Sequence, residues 1–252
     1  MTDLEPVRFS RLKKMGLSAA HYAADQRQGT SAMSVGTAAH SLILGGPPVV
    51  AYPGAVRRGK EWEAFQAENA DACILTKREA EQANAIAESV RRCSLSMRLL
   101  EGRHEVELPP WRVGGRVCGG RVDVIGDLDG GHVCELKTSN SAEPYRFTRL
   151  GLRMAYHAQL AWYQHGAMAG AGLDVGSAYI VAVETSPPYV VTPMRVTFRA
   201  LEMGTRIWRS WFERLRVCEE SGEWPPYVQH VTDFDIEDEE PELVFADEEE
   251  AA

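Results

Sequence analysis

No stretch of the chain approaches the roughly 20 consecutive apolar residues that a membrane-spanning helix needs, and its start, M-T-D-L-E-P-V-R-F-S-R-L-K-K, lacks the apolar centre of a secretory signal. A cytoplasmic protein with no membrane partner is therefore expected. Cysteine is scarce: Cys73, Cys93, Cys118, Cys134 and Cys218 are odd in number, scattered, and include no C-x-x-C pair. That argues against a disulfide framework, a zinc ribbon or an iron–sulfur cluster. Basic side chains are absent from Asp233 onward, where 11 carboxylates crowd the end of the chain.

What is present is an ordinary globular composition, 44% hydrophobic and 25% charged over 252 residues. The net charge of −9 is concentrated at one end: removing those 11 of the 36 carboxylates leaves 25 acidic against 27 basic side chains, a net of +2. A polyanionic partner thus stays open. The expected organisation is one domain over 1–232 and an acidic tail over 233–252, read either as a solvated, disordered end or as a segment that mimics nucleic acid or docks a basic partner.

Apolar spacing predicts helices over 10–25, with Ser10 as N-cap, and over 35–44, the latter ended by Gly45-Gly46 and Pro47-Pro48, with a loop over 45–60. Thr76 and Glu79 form a capping-box pattern that opens a long helix over 77–100. Strands are expected at Glu105–Leu108, Arg116–Ile125 and His132–Lys137 as an antiparallel meander, followed by a helix over 152–169, strands over 177–184 and 189–197, and a helix over 199–220. Strands flanked by helices in this order indicate an α/β fold with a mixed sheet.

The segment G-G-R-V-D-V-I-G-D-L-D-G-G-H-V-C-E-L-K-T-S, residues 119–139, carries the chemistry. Alternation along a strand puts Glu135 and Lys137 on one face and Cys134 and Leu136 on the other. A hairpin symmetric about Asp129, with the loop Leu128-Asp129-Gly130, sets Asp123 opposite Glu135. Two carboxylates about 5 Å apart repel by roughly 3 kcal/mol at an effective dielectric near 20, which something must offset. Lys137 in an ordinary ion pair is one answer, and a divalent cation between the carboxylates is the other.

Asp followed by Glu-x-Lys on adjacent strands resembles the signature of the PD-(D/E)xK nuclease superfamily, and the surroundings resemble its exonuclease VIII branch, related to lambda exonuclease. The similar segments are S-R-L-K-K with S-A-A-H-Y, G-T-A-A-H at 36–40, R-R-G-K-E-W-E-A-F at 57–65, I-L-T-K-R-E-A-E-Q, E-L-K-T-S, and Y-H-A-Q-L-A-W-Y at 156–163. Arg121-Val122-Asp123 stands where the branch usually has R-P-D, and Glu135 where it mostly has Asp. The resemblance implies a restriction-endonuclease-like core, a central mixed β-sheet flanked by helices.

It further implies that Asp123, Glu135 and the carbonyl of Leu136 ligate Mg²⁺, with Mn²⁺ as a substitute, and that Lys137 holds the attacking water. His40 would ligate the metal or touch the phosphate. Glu105 would be the extra carboxylate, with Glu107 as the alternative on the same strand. Gln159 and Tyr163 would sit near the catalytic strands, and Arg121 on the DNA. Arg57 and Arg58, with Lys60, Arg146, Arg149 and Arg153, are candidates for phosphate contacts or simply solvated charges.

The implied activity is hydrolysis of linear double-stranded DNA from its ends, 5′ to 3′, by a ring-shaped homo-oligomer, yielding single strands for recombination with a single-strand annealing protein. A phage or prophage origin would be typical. Two other readings stand beside it: a non-catalytic DNA-binding or annealing-partner module with the same fold, and a nuclease of the kind used in CRISPR spacer acquisition, which would lack its usual iron–sulfur cluster here.

Overall fold

The computed structural model describes residues 5–24 and 35–233. The expected tail lies, beyond Asp233, outside the described residues, as does Asp25 at the end of the expected first helix. The chain begins with β1 (Val7–Arg8), α1 (Phe9–Leu12), α2 (Ala19–Ala23), α3 (Val35–Leu44), β2 (Val49–Tyr52), α4 (Lys60–Glu68) and β3 (Cys73–Thr76). There follow α5 (Lys77–Arg92), α6 (Ser94–Leu99), β4 (Arg103–Glu107), β5 (Trp111–Val113), β6 (Arg116–Gly119), β7 (Arg121–Gly126) and β8 (His132–Ser139). The last part holds α7 (Pro144–Arg153), α8 (Tyr156–Ala171), β9 (Ser177–Glu184), β10 (Val191–Arg195) and α9 (Phe198–Ser221).

The central sheet has five strands in the order β10-β9-β8-β7-β4. β8 and β9 are parallel and the other neighbours antiparallel, so the sheet is mixed. A parallel pair needs a crossover, and α7 and α8 supply it across one face of the sheet. On that face Ile125, Val133, Ala178, Ile180 and Ala182 pack with Leu160, Trp162, Trp208 and Phe212 of α8 and α9. On the other, Val124, Cys134, Leu136, Val181 and Val183 pack with Ala38, Ala39, Ala83, Ile86 and Val90 of α3 and α5. Two covered faces explain why β9, S-A-Y-I-V-A-V-E, reads as a nearly continuous apolar run, while β8 carries Glu135 and Lys137 into the site.

Several expected elements are corrected. The first helix is divided into α1, a 3₁₀ turn over Lys13–Gly16 and α2, and Ser18, not Ser10, accepts the capping bond, from the His21 N–H. The helix over 77–100 opens at Thr76 with both capping-box bonds, but it breaks at Cys93, whose backbone is extended. The break turns α6 so that Leu99 and Leu100 reach the core. The strand over 116–125 is divided at Gly120: β6 leaves the central sheet to pair with β5 and β1, and only β7 stays in it. The loop over 45–60 contains β2, which pairs in parallel with β3. The helix over 152–169 begins at Tyr156, after the left-handed Ala155 ends a separate α7.

The β7–β8 hairpin keeps the expected register, with Val124 opposite Cys134, Ile125 opposite Val133 and Gly126 opposite His132. Its connection is longer than three residues, since pairing ends at Gly126 and His132 and a 3₁₀ turn fills Leu128–Gly130. Gly131 closes it at φ 129°, and a Cβ there would stand 2.1 Å from the Asp174 carbonyl oxygen. Gly131→Ala therefore combines a disfavoured backbone with a clash, and we expect a loss of about 2–5 kcal/mol in urea denaturation.

Candidate active site

The catalytic-type side chains gather where the sheet opens. Pairing of β7 with β8 stops at Val124 and Cys134, and pairing of β4 with β7 skips Glu105 and Asp123. In the gap, Asp123 Oδ2 accepts the Leu136 N–H at 2.9 Å, so a carboxylate replaces the missing ladder acceptor. Glu105 is left-handed at φ 49°, a conformation that costs a non-glycine residue about 1–2 kcal/mol. It joins His40 Nδ1 at 3.1 Å and Arg121 Nε at 2.9 Å. His40 Nε2 lies 2.8 Å from Asp123 Oδ2, so the α3 imidazole spans two carboxylates carried by β4 and β7.

Glu135 is 5% exposed. Its Oε1 accepts from Lys137 Nζ at 2.6 Å and from Gln159 Nε2 at 2.7 Å, and Gln159 Nε2 also donates to the Tyr163 hydroxyl at 3.1 Å. Lys137 Nζ also lies 4.9 Å from the centroid of the Tyr156 ring. A cavity of about 650 Å³ opens onto His40, Glu105, Arg121, Asp123, Leu136 and Lys137.

Three acids, Glu105, Asp123 and Glu135, face two bases, Lys137 and Arg121, so the cluster reaches balance through a proton on His40 or Glu135 or through an added cation. Two observations fit a divalent ion. The Oε2 of Glu135 is buried without a hydrogen-bond partner. One ligand atom each from His40, Glu105 and Asp123 lies within 4.8 Å of the others, the one such group among the described residues. Oxygen donors with a single imidazole suit Mg²⁺ or Mn²⁺ better than soft metals.

Burial pushes the Glu135 carboxyl up to about 7; Lys137 opposes that shift and the Asp123 charge adds to it. Burial alone would lower the His40 value, but the hydrogen bond and charge of Asp123, with Glu105 and Glu135, raise it. Both groups therefore bind protons more tightly folded than unfolded. Their contribution to stability is full below the unfolded values and is lost as pH rises through the folded ones. In EDTA, the excess of the melting temperature at pH 5 over that at pH 7.5 should be smaller in Glu135→Gln than in the native chain. An equal excess would show that Glu135 is ionised throughout.

Of the residues singled out from sequence, His40, Glu105, Arg121, Asp123, Leu136 and Lys137 line this cavity, and Glu135 and Gln159 are bonded to it from behind. Glu107 points elsewhere, pairing with Arg8 of β1. Tyr163 is mostly buried and borders a smaller polar cleft with Arg8, Ser10 and Arg121. Arg57 is held by Glu79 at 2.6 Å over the start of α5, and neither it nor Arg58 lines the cavity. Sequence reasoning missed Tyr156, although its position three residues before Gln159 on α8 puts both on one helix face.

Residues 8–234 match the family described as PDDEXK-like domain of unknown function (DUF3799), and the chain belongs to that family. The protein is thus a member of the PD-(D/E)xK nuclease superfamily with a restriction-endonuclease-like core. Among solved structures it is similar to one from Eubacterium rectale named "Putative exonuclease", with a TM-score of 0.62 and 14% identity over 92% of this chain and 91% of that one. At that identity the likeness shows the fold. The protein SSO0001 aligns over 87% of this chain and 88% of its own at 16% identity, but its TM-score of 0.30 carries no argument. No curated protein matches the sequence. No helix among the described residues is long and apolar enough to cross a membrane.

Proposed function

We propose that the chain is a Mg²⁺-dependent exodeoxyribonuclease that hydrolyses linear double-stranded DNA 5′ to 3′ and leaves single strands for recombination. The observation that carries this reading is the convergence of Asp123, Lys137, His40 and Glu105 on one open cavity, with Glu135 bonded to Lys137 behind it and one buried Glu135 oxygen left unpartnered.

Phosphodiester hydrolysis needs an activated water, a neutralised phosphate and a stabilised leaving oxygen. A bound Mg²⁺ or Mn²⁺, held by Asp123, Glu105, His40 and Glu135, would supply a lowered water pKa and charge neutralisation together. Lys137 directs its ammonium at the cavity from beside Glu135, positioned to hold the nucleophilic water and to meet charge developing on the phosphate. Gln159 fixes the Glu135 carboxylate by occupying the same oxygen as Lys137, which keeps Oε2 turned away from both. Arg121, half out in solvent and tied to Glu105, is placed to take a phosphate at the cavity edge.

Assembly into a ring, delivery of single strands to an annealing protein and a phage or prophage setting are part of the same proposal, supported by the resemblance to the exonuclease VIII branch. The test uses linear duplexes labelled at the 5′ or 3′ end and a closed circle. Release of 5′ label first, in Mg²⁺ and not in EDTA, with the circle intact, is the expected result. Undiminished DNA in both Mg²⁺ and Mn²⁺ would leave the non-catalytic module as the better reading, and cutting of the circle would mean an endonuclease.

A further inference from the structure

Between Glu143 and Asp174 the chain carries no acidic side chain, and its only Lys or Arg side chains there are Arg146, Arg149 and Arg153, all on α7. Spacings of three and four residues put these arginines on one face of the helix, in a row about 10 Å long at 1.5 Å per residue. The opposite face is the one that packs, through the buried Phe147 and Gly151. All three arginines are exposed, and none forms an ion pair with a described residue. Glu143, the carboxylate nearest the row in sequence, caps the helix by accepting the N–H groups of Tyr145 and Arg146.

Apolar groups are set among the charges. Tyr145 is 66% exposed and Leu152 48%, and they flank Arg149 at spacings of four and three residues. The Arg149 guanidinium lies 5.8 Å from the centroid of the Tyr145 ring and donates to its hydroxyl at 3.2 Å, which holds ring and charge side by side. Unpaired cations in a row attract a polyanion, and an open ring beside them offers a face on which a base can stack. A duplex hides its base faces and would leave Tyr145 in water. A single strand presents phosphates and unstacked bases together, and with one phosphate about every 3.4 Å the row spans about three of them.

We propose that the outer face of α7 binds single-stranded DNA, with phosphates on Arg146, Arg149 and Arg153 and a base stacked on Tyr145. The inner side of the helix fixes where this face stands. Phe147 packs on Tyr156 with ring centroids 6.0 Å apart, and Tyr156 packs on Lys137 Nζ at 4.9 Å, so α7 is backed onto the catalytic cluster. None of the three arginines lines the catalytic cavity. The face is a separate holding surface beside that cavity, for the strand that hydrolysis of its complement leaves unpaired. The choice of DNA as ligand rests on the nuclease reading, whereas the binding itself needs neither metal nor turnover.

The experiment is fluorescence anisotropy of the whole chain in EDTA with a labelled oligothymidylate of about 20 nucleotides, and with a duplex of the same length, over a series of salt concentrations. Changing all three arginines together, R146A/R149A/R153A, should lower the slope of log affinity against log salt for the single strand by about 2, since each phosphate contact contributes about 0.7. The duplex slope should not change, and the exposed positions should leave the melting temperature as it was. Tyr145→Ala should weaken the single strand about tenfold with its slope unaltered, and Tyr145→Phe should bind it as the native chain does. Arg92→Ala, which removes a charge from α5 on the other side of the sheet, should leave the slope as it was. An unaltered slope in the triple variant would overturn the proposal, as would an equal fall for the duplex, native affinity in Tyr145→Ala, or a loss in Arg92→Ala as large as that from one α7 arginine. A chain that binds single strands in this way but cuts no DNA in Mg²⁺ or Mn²⁺ would lose the nuclease reading and keep this one.

Discussion

Lys137→Ala is expected to lower cleavage of linear duplex on the order of 10²–10³-fold, the usual cost of deleting one preorganised donor to a charge that grows in the transition state. The ammonium has few alternatives to that role. It sits 2.6 Å from Glu135 Oε1, packs on the Tyr156 ring and faces the cavity that also holds Asp123 and Arg121. The Glu135 and Asp123 charges outweigh the effect of burial and raise its pKa, so it is a cation at any working pH. Lys137→Arg should not restore the rate, because a planar fork cannot replace a compact point donor in this confined position. Affinity for duplex in EDTA, read by gel shift, should be nearly unchanged in both variants. Full activity in Lys137→Ala would show that the nucleophilic water is held elsewhere.

Asp123→Asn should remove metal binding and activity together. Mn²⁺ affinity is expected to fall at least about 100-fold, since even partners of metal ligands contribute 10–100-fold and Asp123 would be a direct ligand. The amide oxygen can still accept the Leu136 N–H, so the local backbone should survive. The variant also relieves repulsion between Asp123 and the buried Glu135, and its melting temperature in EDTA should not fall below that of the native chain. Native Mn²⁺ affinity in a folded Asp123→Asn would mean that Glu105, His40 and Glu135 hold the ion without it. A lower melting temperature would mean that His40 already neutralises the pair more fully than its hydrogen bonds suggest.

The cluster was legible to different depths. Glu135 and Lys137 could be placed on one strand face because strand periodicity is two, and their register against Asp123 followed from a turn-forming run centred on Asp129. Glu105 could not be separated from Glu107 by spacing, because the difference lies in a left-handed backbone at Glu105 and in a partner, Arg8, that is 99 residues away from Glu107. Gln159 and Tyr163 are four apart on a helix, but that Gln159 would take the same Glu135 oxygen as Lys137 depends on how the crossover lays α8 across β8. The unpartnered state of His157, next to Tyr156, exists only in the packed protein.

Local information settled the capping box of α5, the alternation along β7 and β8, the helix–strand alternation that makes an α/β fold, and the identities of the acid, amide and amine groups. These depend on neighbours within a few residues, which propensity and periodicity report directly. The division of 116–125 between two sheets, the reversal at Cys93, the placing of Arg57 on Glu79 and the opening of the sheet at Asp123 were decided by tertiary contacts. Each sets a local preference against burial or pairing with distant chain, and the distant term is the larger one where a continuous strand or helix would leave apolar surface uncovered.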